Sequence, residues 1–331
     1  MEAKLRKPEL LQRILAAVED SGWSALLLRA EHPFKLRLFR ADDPAHIDVT
    51  VFIWNITHGG GAARPANELR IQLTGTVPTV QTEGKTLLVG WNEGYRVFVA
   101  FDIRRHDAQA SSSPSIQVAR SALLQAHTHS FAIHTRGNRE TVVAFRPEYL
   151  IEYVRSQAAL HSPAFARGDL PDLVNSLDTV TDAQIDALAA SPRRMIVQML
   201  KRKYRERDFA ARVLSAYRQR CAVCGVQIKL VDAAHILPVA ADGSTDDTTN
   251  GVALCALHHR AFDTNLFSFN ESYEVQVSNR RLEELRAADL LLGMSNFQKA
   301  LLPALALPAD RRDYPSPTYI ASARRLRGWA D

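Results

Sequence analysis

The chain has 331 residues, 46% hydrophobic and 23% charged, which is enough apolar sequence for about two packed domains and argues against extensive disorder. It has no run of eighteen apolar residues, so no membrane-spanning helix is expected; the amphipathic, acid-containing N-terminus lacks the apolar run and cleavage site of a secretion signal, which points to the cytoplasm. Net charge is +5, and three cysteines, all between Cys221 and Cys255, are too few for a disulfide scaffold and hint at a local metal site.

Residues 8–20 read as a helix with Leu10, Leu11, Ile14, Leu15 and Val18 on one side. Strand-like runs follow at 24–30, 34–40, 47–56, 68–75, 86–92 and 95–103, several alternating apolar and polar residues, with Glu93-Gly94 as a hairpin turn between the last two. The segments 115–126 and 147–160 read as helices. Residues 1–160 are therefore expected to form a mixed sheet-and-helix α+β domain. Its arginines (Arg37, Arg40, Arg64, Arg70, Arg104, Arg105, Arg136, Arg139) are compatible with phosphate contact, and Trp54 or Trp91 could stack on a flipped base, although strand tryptophans more often serve a core. His127, His129 and His134 would bind metal only if the first two shared a strand face.

Residues 161–207 read as a linker that begins with Pro163, Gly168 and Pro171 and becomes helical and basic, with Thr181 as a helix cap. From Arg193 to Arg220 there are ten Lys or Arg residues and two acids. Arg193, Arg194, Lys201, Arg202, Lys203, Arg205, Arg218 and Arg220 are the expected phosphate contacts of this block. Phe209, Val213, Leu214 and Tyr217 form an apolar stripe within it.

Cys221-x-x-Cys224 followed by Cys255-x-x-His258 has the donor types and spacing of a structural Zn²⁺ site. A small unit with little core of its own would be stapled by such an ion. His235 lies in VDAAHILP, an expected strand ended by Pro238; Asn250 comes fifteen residues later, and His259 sits early in a helix, ALHHRAFD. His258 and His259 point about 100° apart on that helix, so they can serve different sites.

The HI-x-P after His235, the N-x4-C from Asn250 and the lead-in VLSAYRQRCAVCG together resemble the HNH (ββα-metal) endonuclease family over about residues 208–270. The resemblance implies a zinc-stapled ββα-metal module (208–275, followed by C-terminal helices and tail at 276–331) that hydrolyses phosphodiester bonds. In it His235 would be the general base, Asn250 would shape the loop and orient the base, and His259 would hold the catalytic Mg²⁺ or Mn²⁺. Where many members carry Asp or His before the base, this chain has Ala234; Asp232, on the same strand face, and Asp263, one helical turn past His259, are the candidate second ligands.

The layout, a reader domain followed by an HNH module, is similar to bacterial restriction endonucleases, including modification-dependent ones. The expected partner is double-stranded DNA with no membrane, and a homodimer would supply the two centres that a double-strand cut needs. Two other readings remain open: a zinc-stabilised DNA-binding protein without cleavage, and an effector nuclease gated by a small signalling molecule.

Overall fold

In the computed structural model, which describes residues 4–41, 43–58, 65, 67–107, 114–162, 165, 170–188 and 192–329, the chain divides into two compact units, Met1–Tyr204 and Arg205–Asp331. Helix α1 (Lys7–Asp20) buries Leu10, Leu11, Ile14, Ala17 and Val18; of the face read from the sequence, Leu15 is only partly buried. Pro8 fits its first turn, where no backbone donor is needed, and the chain turns away at Gly22, whose φ is +77°.

Strands β1 (Ser24–Arg29), β2 (Phe34–Arg40), β3 (Asp43–Asn55), β4 (Glu68–Gln72), β5 (Lys85–Asn92), β6 (Val97–Phe101) and β7 (Ser115–Ala119) are followed by α2 (Arg120–His129), β8 (Phe131–Thr135) and β9 (Thr141–Phe145). Seven of these strands form one sheet in the order β1-β2-β3-β5-β6-β9-β8, antiparallel throughout except for the parallel pair β3–β5.

The central strands are apolar on both faces because both faces are covered. Val51, Ile53, Val89, Phe98 and Phe145 pack in one core with α1 and with α3 (Leu150–Leu160). Phe52, Trp54, Leu88, Val99 and Ala144 pack in a second core with the β4–β7 pair and α2.

The segment 115–126, expected to be one helix, is a strand followed by a helix. Ile116 and Val118 alternate with exposed Gln117 on β7, and pairing with β4 buries the two apolar side chains. Two short helices, α4 (Leu170–Val174) and α5 (Asp182–Asp186), come next, the second with the expected Thr181 cap. Then α6 (Pro192–Ala216) runs for 25 residues as a single helix. Pro163, Gly168 and Arg64 lie outside the described residues.

In the second unit, β10 (Val231–His235) pairs antiparallel with β11 (Gly251–Cys255), which leads directly into α7 (Ala256–Asp263). This ββα hairpin rests on Phe209, Val213 and Tyr217, whose helical stripe joins the same apolar cluster. The contact is close at Gly251. A Cβ there would lie 2.2 Å from Val213 Cγ2 and 3.1 Å from the Phe209 ring. Gly251→Ala is therefore expected to destabilise this unit by about 1–3 kcal/mol through overpacking, measured as a fall in the urea midpoint without a change in slope.

A second hairpin, β12 (Phe267–Phe269) with β13 (Val275–Val277), precedes α8 (Asn279–Ala287), α9 (Met294–Ala300) and α10 (Pro317–Leu326). Helix α10 lies in the stretch that reads as a tail, yet it buries Ile320 and Ala323. Residues 302–306 thread between the hairpin and the cysteine turn. Leu302 N and Ala306 N donate to the carbonyls of Val223 and Ala222, both at 2.8 Å, and Val275 N donates to Pro303 O at 2.9 Å. Arg327, just past α10, lays its guanidinium 4.0 Å over the Phe262 ring of α7. Among the described residues no helix is long and apolar enough to cross a membrane.

Candidate functional site

Three of the four residues read as zinc ligands sit where backbone geometry fixes them. Cys221 opens a turn in which Gly225 N donates back to its carbonyl at 2.9 Å and Gly225 takes φ +74°. Cys255 ends β11, and His258, one helical turn on, points the same way from α7. With Cys224, their ligand atoms all lie within 4.8 Å of one another.

A tetrahedron with Zn–S of about 2.3 Å places sulfurs about 3.8 Å apart. Cys224 and Cys255 are 3.9 Å apart, and His258 Nδ1 lies 3.7 Å from Cys221 and 3.1 Å from Cys255. The cluster has the donors and the dimensions to hold zinc.

Burial acts to raise the Cys221 thiol, but hydrogen bonds from His258 and from the backbone N–H groups of Cys255 and Val223 outweigh it and bring it down to about 6. Cys224 is pushed up to about 12 by burial and by the neighbouring sulfur charges, a repulsion that a dication would remove.

His235 ends β10 opposite Gly251. Its ring stacks nearly parallel on Phe209, with centroids 3.8 Å apart and a 10° tilt, and remains partly exposed. Asn250, fully buried, does not reach this ring. Its Oδ1 accepts from Leu237 N at 2.9 Å, and its Nδ2 donates to Thr245 O at 2.8 Å and to Leu237 O and Ser244 Oγ at 3.2 Å. Both ends of the amide thus close the loop that follows the base. The expectation that Asn250 shapes the loop matches these bonds; the ring itself is held by another group.

That group is Asp246, which sequence reasoning missed. His235 Nε2 lies 3.0 Å from Asp246 Oδ1, and Arg205 Nε donates to Oδ2 at 2.8 Å. Arg212 secures the same loop, donating to Asp246 O at 2.6 Å and to Thr248 Oγ1 at 2.7 Å while pairing with Asp208. Burial acts to raise the Asp246 carboxyl; the hydrogen bonds from His235 and Arg205, with their charges, outweigh it and hold it below the usual carboxylate range. Because the folded value is depressed, this carboxylate stabilises the fold at neutral pH, and the contribution is lost as pH falls through that lower value. The available signal was an acid inside the DGSTDDTTN loop between the two motif residues, but the adjacent pair Asp246-Asp247 left the choice open.

His259, on the exposed side of α7, is flanked by both candidate acids. Asp232 Oδ2 lies 3.7 Å from Nδ1, and Asp263 Oδ2 lies 3.6 Å from Nε2. The two carboxylates face opposite ring nitrogens, so an ion on His259 would be shared with only one of them. These three are imidazole and carboxylate donors, suited to a hard or borderline divalent cation.

The expected basic row is only partly outward. Arg202, Arg205, Arg218 and Arg220 are exposed. Lys203 turns inward to Glu152 at 3.8 Å with its side chain only 15% exposed, and Lys201 Nζ donates to Leu177 O at 2.7 Å. Arg194 pairs with Asp186, and Arg193 is half-buried. Lys201 and Lys203 are therefore engaged within the first unit, which corrects the reading of the whole block as phosphate-facing.

In the first unit Trp54 and Trp91 are core residues, 4% and 3% exposed, and neither offers a stacking surface. Arg37, Arg104 and Arg136 pair with Asp48, Asp102 and Glu140, while Arg70 is buried. His127 and His129 lie on α2 rather than on a strand, so they do not share a face. His127 bonds Tyr95 O at 2.8 Å, and His129 lies 3.6 Å from Asp178.

Comparison with curated proteins finds no match. Among solved structures the chain is similar to one titled modification dependent TagI restriction endonuclease, at 12% identity over 83% of this chain and 80% of that one, with a TM-score of 0.31, too low to carry an argument. Residues 47–154 match the family model Methylase-associated X1. Residues 221–270, which hold the cysteine cluster, His235, Asp246, Asn250 and His259, match the family model HNH endonuclease, so the second unit carries an HNH nuclease segment.

Proposed function

We propose that the protein is a metal-dependent DNA endonuclease of a restriction or defence system, in which the second unit cuts and the first selects the substrate. The observations that carry the reading are an imidazole on β10 seated against a carboxylate and a second imidazole on α7 flanked by two carboxylates, all within the HNH segment. A match to a family named for its association with methylases fits a restriction setting for the first unit, and dependence on modified bases belongs to the same proposal.

In this reading Asp246 accepts the Nε2–H of His235 and fixes the tautomer, which leaves the Nδ1 lone pair to take the proton of the attacking water. The Phe209 stack holds the ring plane, and Asn250 holds the loop that carries Asp246. His259, with Asp232 or Asp263, would hold Mg²⁺ or Mn²⁺, which supplies charge neutralisation at the scissile phosphate and the leaving 3′-oxygen. Zn²⁺ on Cys221, Cys224, Cys255 and His258 would be structural. Arg202, Arg205, Arg218 and Arg220 would contact phosphates.

The test is incubation of supercoiled plasmid and phage DNA, modified and unmodified, with the zinc-loaded protein, freed of other divalent ions, and added Mg²⁺ or Mn²⁺. Nicked or linear product that appears only with metal is the expected result. Salt-sensitive binding without strand breaks under any metal or modification would reduce the protein to a DNA-binding one, the reading that Ala234 favours.

A further inference from the structure

Asp246 divides its carboxylate between two donors, His235 on Oδ1 and Arg205 on Oδ2. Arg205 is 50% exposed on α6, so it presents part of its guanidinium to solvent while Nε holds the carboxylate. The other charged groups packed around Asp246 are engaged elsewhere. Arg212 binds Asp208, Thr248 and the Asp246 carbonyl rather than its carboxylate, and Asp247 is bonded by Thr245 and Tyr319. Arg205 is therefore the exposed cation that competes with His235 for the same carboxylate.

We propose that Arg205 is a positioning residue that couples DNA phosphate binding to the strength of the His235 base: a phosphate that engages its guanidinium leaves Asp246 to His235 alone. The inference rests on His235 acting as base in the reading above.

The physical reason is electrostatic. A carboxylate bound to arginine supports an imidazolium less than one bound to imidazole only, and the arginine's own charge opposes proton uptake at Nδ1. Phosphate cancels that charge whether or not the guanidinium fully leaves Asp246. DNA seated on Arg205 therefore strengthens the base relative to the free protein, which ties water activation to the presence of substrate.

The test follows the His235 ring by NMR titration of the full-length, zinc-loaded protein without Mg²⁺ or Mn²⁺, with and without a short DNA duplex, in the parent, Arg205→Gln and Arg205→Lys. Loss of the arginine charge in Arg205→Gln is expected to raise the free-protein midpoint by roughly half to one pH unit, the scale of one nearby charge at a partly exposed site. The duplex then shifts the parent by more than it shifts Arg205→Gln, and Arg205→Lys, which keeps the charge, titrates like the parent.

In cleavage kinetics the acidic limb of kcat/KM, which reports the free protein, moves up in Arg205→Gln, while that of kcat, which reports the bound state, stays in place. An unmoved free-protein midpoint in Arg205→Gln, or an equal displacement of both limbs, overturns the coupling. If the parent cuts no DNA yet the midpoint shifts as stated, the coupling holds and the nuclease reading is what fails.

Discussion

His235→Ala is expected to lower metal-dependent DNA cleavage by about 10²–10⁴-fold, the usual contribution of a general base, with DNA affinity affected far less. The separation of rate from binding follows from the site. His235 carries no formal charge when neutral, it contacts Asp246 and Phe209 within its own unit, and of the exposed arginines proposed to meet phosphate only Arg205 shares a partner with it. The loop that follows it is closed by Asn250 and Arg212, so the variant keeps its architecture. The measurement is single-turnover cleavage at saturating protein beside fluorescence-anisotropy binding. A variant that binds and cuts as the parent does would remove His235 from the mechanism. Loss of both together, with a lowered melting temperature, would mean that the ring is a structural filler on Phe209.

The second large effect concerns the cysteine cluster. Structural zinc contributes apparent binding energies of about 10–16 kcal/mol in small zinc-dependent folds, comparable to the whole stability of a domain. Here the four donors tie together the Cys221 turn, the end of β11 and the start of α7, three segments whose shared core is small. Cys255→Ser or His258→Ala is therefore expected to abolish one equivalent of zinc and to unfold the second unit, seen as lost helical signal and lost nuclease activity. His259→Ala, one position along the same helix, is expected to retain the zinc and the fold while losing cleavage. The measurements are metal content by mass spectrometry and circular dichroism. A His258→Ala protein with full zinc content, or a protein that melts unchanged after chelation, would overturn the structural assignment.

The sequence was most readable where chemistry fixes spacing. CxxC with CxxH has few uses, and the strand ending at His235 and the helix carrying His259 lie where the apolar runs placed them. The α1 face and most strands of the large sheet were equally visible, because alternation and helical repeats survive without tertiary information.

Other features were less accessible, for identifiable reasons. Residues 115–119 look helical when joined to the helix that follows, and only the pairing partner β4, more than forty residues earlier, makes them a strand. Helix α10 was hidden in a proline-containing tail. Asp246 was hidden by Asp247, since nothing local says which of two adjacent acids faces the histidine. The inward turn of Lys201 and Lys203 depends on Leu177 and Glu152, acceptors distant in sequence.

The strip at residues 302–306 lends its backbone to both the cysteine turn and the β12–β13 hairpin, and α10 follows by capping Phe262 with Arg327. The stretch recognised by homology, 221–270, is consequently a fragment of a larger cooperative body. It borrows Phe209 and Val213 from upstream and a bracing ribbon from more than thirty residues downstream. Any excised version meant for expression or transplantation would need to run from about Arg205 to Trp329 to keep its interior dry.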